Sequence, residues 1–355
     1  MTQNTPLSPC GPRAASDAHQ GVLSAAQLKA RGVSAARAAA QCRAGGPWQQ
    51  PLPGVYVLHP GPLDGRELLR SALLYAGRPP ASGRRSVPAQ PAGVDPAYGE
   101  AMITGIAALA LHGFVAVQPV VAMDRIDVLV PRMRRLRSAG YARLLRTAEL
   151  PRPERLDGLP VAPVARALAD AVAGLGDAFA VRRLLTEAVR GGHCEPVVVV
   201  GELNRAKVLG RPQVVDAVDS LLAEGRALAE ERLYDMVRSY GLPEPLWNVD
   251  LRLPGGPHLG GVDAYWPDEA VAVELDTRAP RHSRLDDGRR QEEHEAQWSA
   301  YAARREHLER LGVTVVHLTP KKLRDAREQQ AVVVRTALMA AADREPAAHV
   351  VILPR

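Results

Sequence analysis

Cysteine is nearly absent: Cys10, Cys42 and Cys194 lie far apart and no two form a CxxC pair. That excludes a structural zinc site built on paired thiolates. The odd count argues against a disulfide framework and fits a reducing cytoplasm. No apolar run approaches the roughly 20 residues that a membrane-spanning helix needs. The opening stretch MTQNTPLSPCGPRAASDAHQ has no apolar h-region and does not read as a secretory signal. A soluble, cytoplasmic protein with no membrane partner is therefore expected. Aromatic residues are few, and lysine is confined to Lys29, Lys207, Lys321 and Lys322. Arginine carries the basic charge, a bias that a GC-rich genome also produces.

What the chain does have is length and an ordinary hydrophobic share. At 355 residues it exceeds one ordinary core, so two or three domains are expected. Its hydrophobic share excludes wholesale disorder. A formal net charge of +6 permits a nucleic-acid partner without demanding one.

Residues 1–20 are rich in Pro, Ser and Ala and read as a disordered tail. Residues 21–60 then read as a small module. Ser24 stands as the N-cap of AAQLKARG, Gly32 closes that helix, and Ser34 caps AARAAAQCRAGG. Two short helices across a Gly-containing turn, followed by a hairpin through Trp48 and Gly54-Val-Tyr-Val-Leu58, match a winged-helix-like pattern. Base readout in the major groove would fall to Arg37, Gln41 and Arg43 on the second helix. That helix is otherwise alanine, so a structural or protein-binding role fits equally well.

A mixed middle region is expected over 61–225. It opens with a helix at Leu63 to Ala76, and 77–97 reads as a flexible Pro/Gly linker. Met102 to His112 reads as an apolar helix and Ile126 to Val130 as a strand. Arg132 to Arg155 holds eight arginines against Glu149 and Glu154, a surplus of six charges equal to that of the whole chain. Arg134, Arg135 and Arg137 in it are candidate phosphate contacts; a solvated basic hairpin is the plainer alternative. Gly158 to about Leu222 reads as helical except for the VVVV run at 197–200.

From about residue 226 the order is helix, three strands, helix, strand. In AVAVELD, Val271, Val273 and Leu275 point one way while Ala272, Glu274 and Asp276 point the other. The two carboxylates then lie ~7 Å apart at their Cα atoms. Asp263, on the preceding strand of a hairpin through Pro267, is expected beside them. Such a cluster repels itself unless a cation or arginine is present. Mg²⁺ takes oxygen ligands of this kind and can activate water against a phosphodiester. Glu230 shares the inner face of its helix with Leu233 and Val237. His282 can serve as a base or phosphate contact. Against this stand plainer readings: solvated acids on an exposed strand face, a loop histidine at His282, and a core or sheet-edge histidine at His317.

Glu230-x-x-Leu233, Gly241-Leu-Pro, Val262-Asp263, Trp266-Pro267, Glu274-Leu-Asp276, His282, Arg304 with Leu308 and Gly312, and the final apolar strand carry a resemblance. This run resembles the endonuclease-like domains related to very-short-patch repair enzymes, in the PD-(D/E)XK superfamily. Upstream, Gly54-Val-Tyr56, Ile103-Thr-Gly-Ile-Ala-Ala-Leu-Ala-Leu-His-Gly113 and Leu159-Pro-Val-Ala-Pro-Val-Ala-Arg-Ala-Leu-Ala-Asp170 resemble actinobacterial antitoxins of the type IV abortive-infection (AbiEi-like) kind. Asp276 stands where the superfamily has its motif lysine, and Thr277, Tyr301 and Arg305 also depart from the pattern.

The resemblance implies an α+β multidomain chain. It comprises the winged-helix-like module, the mixed α/β middle region, a restriction-endonuclease-like α/β domain over 226–320, and a C-terminal helix and strand over 321–355. It implies a DNA-directed protein. One form is a metal-dependent endonuclease, active or degenerate, using Glu230, Asp263, Glu274, Asp276 and His282, with Mg²⁺ on Asp263, Glu274 and Asp276. The other is a non-enzymatic antitoxin-type regulator or interaction scaffold that binds DNA and a cognate toxin.

Overall fold

The computed structural model describes residues 21–78, 95–277, 302–342 and 350–354. The chain divides into two compact units, Met1–Ala171 and Val172–Arg355. The expected middle region 61–225 is thus shared between them. The expected tail 1–20 and residues 79–94 of the expected linker lie outside the described residues. Eleven helices and three sheets, all α+β in arrangement, are found among the described residues. No described helix is long and apolar enough to cross a membrane.

The first unit opens with β1 (Val22–Ser24), α1 (Ala25–Ala30), α2 (Ala35–Gln41), β2 (Gln49–Leu52) and β3 (Val55–Val57). The strands form an antiparallel sheet in the order β1-β3-β2. Ser24 and Gln27 make a reciprocal capping box on α1, and the Ser34 hydroxyl accepts from the Arg37 N–H to cap α2. Leu23, Leu28, Val33, Ala38 and Tyr56 form the small core of this module. So few apolar residues cannot stabilise it alone. Helix α3 (Gly65–Gly77), buried from Leu69 through Ala76, packs against all three strands.

A second sheet has the order β6-β5-β4-β8-β7. It uses β4 (Met102–Thr104), β5 (Ile126–Pro131), β6 (Ala142–Thr147), β7 (Glu154–Leu156) and β8 (Leu159–Val161). Helices α4 (Gly105–Leu111) and α5 (Val164–Gly174) accompany it. The expected helix at Met102 to His112 starts only at Gly105, and its first three residues are strand. Thr104 is fully extended and Gly105 sits at φ +62°, which interrupts any helix begun earlier. A Cβ on Gly105 would also meet the Asp127 carboxylate at 2.9 Å. Strands β5 and β6 are parallel although only residues 132–141 join them. A parallel crossover more often needs a helix.

The second unit contains α6 (Ala178–Arg190), α7 (Pro196–Arg205) and α8 (Pro212–Ser239). The VVVV run, expected to stand outside the helical pattern, lies inside α7. Pro196 opens that helix, and Val199, Val200 and Leu203 share its buried face. Helix α8 runs through residue 225 without a break, so the boundary expected there falls inside it. Gly225 gives room for Pro196, whose Cγ would lie 2.4 Å from an added Cβ.

After α8 come β9 (Leu246–Arg252), β10 (His258–Trp266) and β11 (Val271–Leu275). The rest is α9 (residues 302–310), β12 (Thr314–Leu318), α10 (Pro320–Asp325), α11 (Arg327–Ala342) and the edge strand β13 (Val351–Pro354). The sheet order is β12-β11-β10-β9-β13, with β12 parallel to β11 and all other pairs antiparallel. One face (Ala264, Trp266, Val271, Val273, Leu275) buries α8 and α11. The other (Val249, Leu251, Tyr265, Ala272, Val315) buries Leu308 of α9.

Candidate functional site

Asp263 and Glu274 lie in the middle of the second unit's sheet. Strands β10 and β11 pair through Trp266↔Val271, Tyr265↔Ala272 and Ala264↔Val273. One step further, Asp263 stands opposite Glu274 and the backbone ladder stops. The Asp263 carboxylate takes over: its Oδ2 accepts from the Leu275 N–H at 2.6 Å. Its Oδ1 accepts from the Arg226 guanidinium of α8 at 2.7 Å. Arg226 also donates to Glu230 at 2.8 Å. Both Asp263 and Glu274 are 7% exposed.

Glu274 is held from the other side of the sheet. Its Oε1 is 2.7 Å from the Arg304 guanidinium of α9, and His317 on β12 lies 3.7 Å from Oε2. Arg304 also donates to the carbonyls of Leu259 and Gly261. This approach requires glycine at 260, where φ is +108° and a Cβ would stand 2.5 Å from the guanidinium. Asp276 is exposed past the end of β11, and its N–H donates to the Leu318 carbonyl.

The expected single acidic face is therefore corrected. Asp263 and Glu230 converge on an arginine from the α8 side, whereas Glu274 meets an arginine from the α9 side. The reason lies in a break of alternation. Pair Val249↔Val262 and pair Trp247↔Ala264 are two residues apart, yet Val249 and Val262 enter one core while Trp247 and Ala264 enter the other. Between them Asn248 sits at φ +50°, turning the strand over at the level of Asp263.

This donor set does not fit Mg²⁺, which wants several uncommitted oxygens at one point in near-octahedral geometry. Both oxygens of Asp263 are taken by Arg226 and the Leu275 N–H, and Oε1 of Glu274 by Arg304, with His317 at 3.7 Å from Oε2. No group of three His, Cys, Asp or Glu able to hold a metal occurs among the described residues. His282 lies outside the described residues. His317 is a half-buried histidine on an edge strand, as expected. Two features went unread in the sequence: Arg226 as the shared cation, signalled only by its i,i+4 spacing to Glu230, and Gly260 as the gap for Arg304.

In the first unit, Arg37 and Arg43 are exposed, while Gln41 is half-buried and its carbonyl accepts from the Trp48 N–H. Ala38 is the one residue of α2 that is buried, so Ala36, Ala39 and Ala40 face outward. Lys29 and Arg31 are exposed as well.

The arginine-rich stretch divides sharply. Arg134, half-buried, donates to the carbonyls of Ala76 and Arg78. Burial and the neighbouring Arg78 charge lower its pKa. Arg143 forks onto Asp127 with two bonds of 2.6 Å, and Arg146 donates to the carbonyls of Arg134 and Leu136. Arg132, Arg135, Arg137 and Arg152 are exposed. Arg134 thus ties residues 132–141 to the end of α3.

This unit also buries a polar network whose link from Thr104 to Asp170 no local sequence pattern signals. The Thr104 hydroxyl donates to Asp170 at 2.6 Å, and Arg166 donates to both oxygens of Asp170. No protein-family model matches the chain, and no curated protein matches it.

Proposed function

We propose that this chain is a DNA-directed regulator. Its first unit carries a winged-helix-like DNA-binding module. Its second unit is a restriction-endonuclease-like scaffold whose acidic positions act as counter-ions for arginine rather than as ligands for a metal. The observation that carries the reading is the charge of the module. From Gly21 to Leu63 there is no acidic residue, while Lys29, Arg31, Arg37 and Arg43 are all exposed. An ordinary soluble surface intersperses both signs. A one-sign surface attracts a polyanion. The alanine face of α2 offers little hydrogen bonding to base edges, so backbone contacts dominate over base readout.

For the second unit, the order α8-β9-β10-β11-α9-β12 supports the endonuclease-like reading. The commitment of Asp263 to Arg226 and of Glu274 to Arg304 supports a non-hydrolytic one. A cognate toxin is the protein partner that the antitoxin resemblance implies. Metal-dependent phosphodiester hydrolysis is the second reading, favoured by the burial of Asp263 and Glu274 where β10 and β11 part.

Supercoiled plasmid incubated with the full chain and Mg²⁺ or Mn²⁺ decides between them. The expected result is retarded plasmid, no nicking, and no metal-induced gain in Tm, since a ligand of the native state must raise it. Nicking by the wild type that Asp263→Asn abolishes would establish the enzyme. Arg226→Ala sharpens the test, because it alone frees Asp263 Oδ1 and Glu230 for an ion.

A further inference from the structure

Loop 132–141 and the hairpin β2–β3 are neighbours in the first unit. Gly140, at φ +51°, lies so close to β2 that its Cβ would stand 3.1 Å from the Leu52 side chain and 3.7 Å from the Pro51 carbonyl. At the hairpin turn, the Pro53 carbonyl accepts from the Arg78 guanidinium at 3.4 Å. Arg78 in turn offers its own carbonyl to Arg134 and lies 4.9 Å over the Tyr75 ring. A continuous series of contacts therefore runs from the hairpin turn through Arg78 into the loop.

The backbone of this loop is anchored at successive points. The carbonyls of Arg134 and Leu136 accept from Arg146, that of Arg137 accepts from the Tyr75 hydroxyl at 2.6 Å, and the Ser138 hydroxyl accepts from the Leu144 N–H. Arg134 reaches inward to the end of α3. With the carbonyls turned in, the side chains of Arg132, Arg135 and Arg137 project outward, exposed. A merely solvated charge run has no need of such anchoring. Fixing the loop beforehand removes part of the entropy cost of binding. From Val128 to Ala148 there are six arginines and no acid.

We infer that loop 132–141 extends the hairpin of the N-terminal module into one phosphate-binding surface for double-stranded DNA, with Arg132, Arg135 and Arg137 as contacts and Arg134 and Arg146 as struts. The inference rests on the DNA-directed reading proposed above and adds a surface that the module's helices do not supply. Phosphate suits this comb because the guanidinium fork matches its oxygens in a bidentate way. An anionic membrane is the weaker fit: membrane attachment grows with buried apolar area, and Met133 is the one large apolar side chain that the loop exposes.

The test measures binding of the full chain to two labelled duplexes of unrelated sequence and to phosphatidylserine vesicles across a salt series. The variants are R132A/R135A/R137A, R37A/R43A and R134A. The triple loop variant is expected to keep the wild-type Tm and to bind both duplexes equally more weakly. Its plot of log K against log salt should flatten by about 0.9 for each phosphate that is no longer neutralised. R134A is expected to lower both Tm and affinity, because the comb loses its strut. If R37A/R43A weakens binding while the triple loop variant matches wild type in affinity and slope, the loop inference fails and the module reading stands. If wild type binds neither duplex at low salt, both fail together. If the triple variant loses binding only to phosphatidylserine vesicles, the surface is a membrane one and the inference fails. R134A with full Tm and affinity would show that Arg134 is not a strut and that the loop needs no anchoring to bind, against the inference.

Discussion

The two five-stranded sheets both bury carboxylates beside arginines, but they do so with different geometry. In the first unit, Asp127 and Arg143 are register partners on adjacent parallel strands, and Asp170 is bound by Arg166 one helical turn away. Each pair is local. In the second unit the acids sit where two strands part, and their arginines come from helices on opposite faces of the sheet. The first arrangement is plainly structural. The second resembles a metal site in sequence, yet the acids are satisfied by the same chemistry. A buried acid therefore says little about catalysis until its counter-charge is known, because a buried charge must be paired somewhere.

The largest expected effect bears on that counter-charge. If Asp263 and Glu274 repelled one another across an unfilled site, Asp263→Asn would stabilise the protein. Paired with Arg226 and with the Leu275 N–H, Asp263 instead contributes stability. We expect Asp263→Asn to lower the unfolding free energy by about 2–3 kcal/mol in a urea titration. A stabilised variant would restore the repulsive metal-site picture.

The corresponding change in the first unit is Thr104→Val. It removes the hydroxyl that Asp170 accepts from at full burial. The expected loss is about 1–2 kcal/mol, smaller because Arg166 still holds Asp170. A loss as large as that of Asp263→Asn would erase the contrast between the sheets.

The smallest effect concerns the surface. The Arg324 hydrogen bond holds Asp325 below the usual carboxylate range. A lowered folded pKa means that its contribution is present above the unfolded pKa and lost as pH falls through the folded one. Asp325→Asn should therefore flatten only the acid limb of stability, below about pH 4, in denaturation followed against pH. An unchanged acid limb would show the pair to be energetically silent, as many exposed pairs are.

Much of the fold was legible because it follows from local signals. Ser24 and Ser34 cap their helices, Gly241-Leu-Pro ends α8, and the period-two pattern of AVAVELD locates β11. The inner position of Glu230 came from helical periodicity alone. The Met102–Thr104 strand and the helical VVVV run were misread for a shared reason. Both are short apolar runs, which helix and strand accommodate alike until neighbours decide. The acidic face was misplaced because alternation assumes a regular strand, and Asn248 at φ +50° breaks it one strand away from the residues that it reorients.

Composition and order by themselves determined the charge distribution, the capping of the helices and the succession of elements, all of which depend on residues close in the chain. Only the tertiary structure decided which arginines are tied down and which face solvent. Arg134, Arg143, Arg226 and Arg304 look no different in sequence from Arg132, Arg135 and Arg137. Whether a guanidinium meets a buried carboxylate, a backbone carbonyl or solvent depends on partners far away in the chain, 58 positions for Arg134 and 129 for Arg324, and no local pattern encodes such a distance.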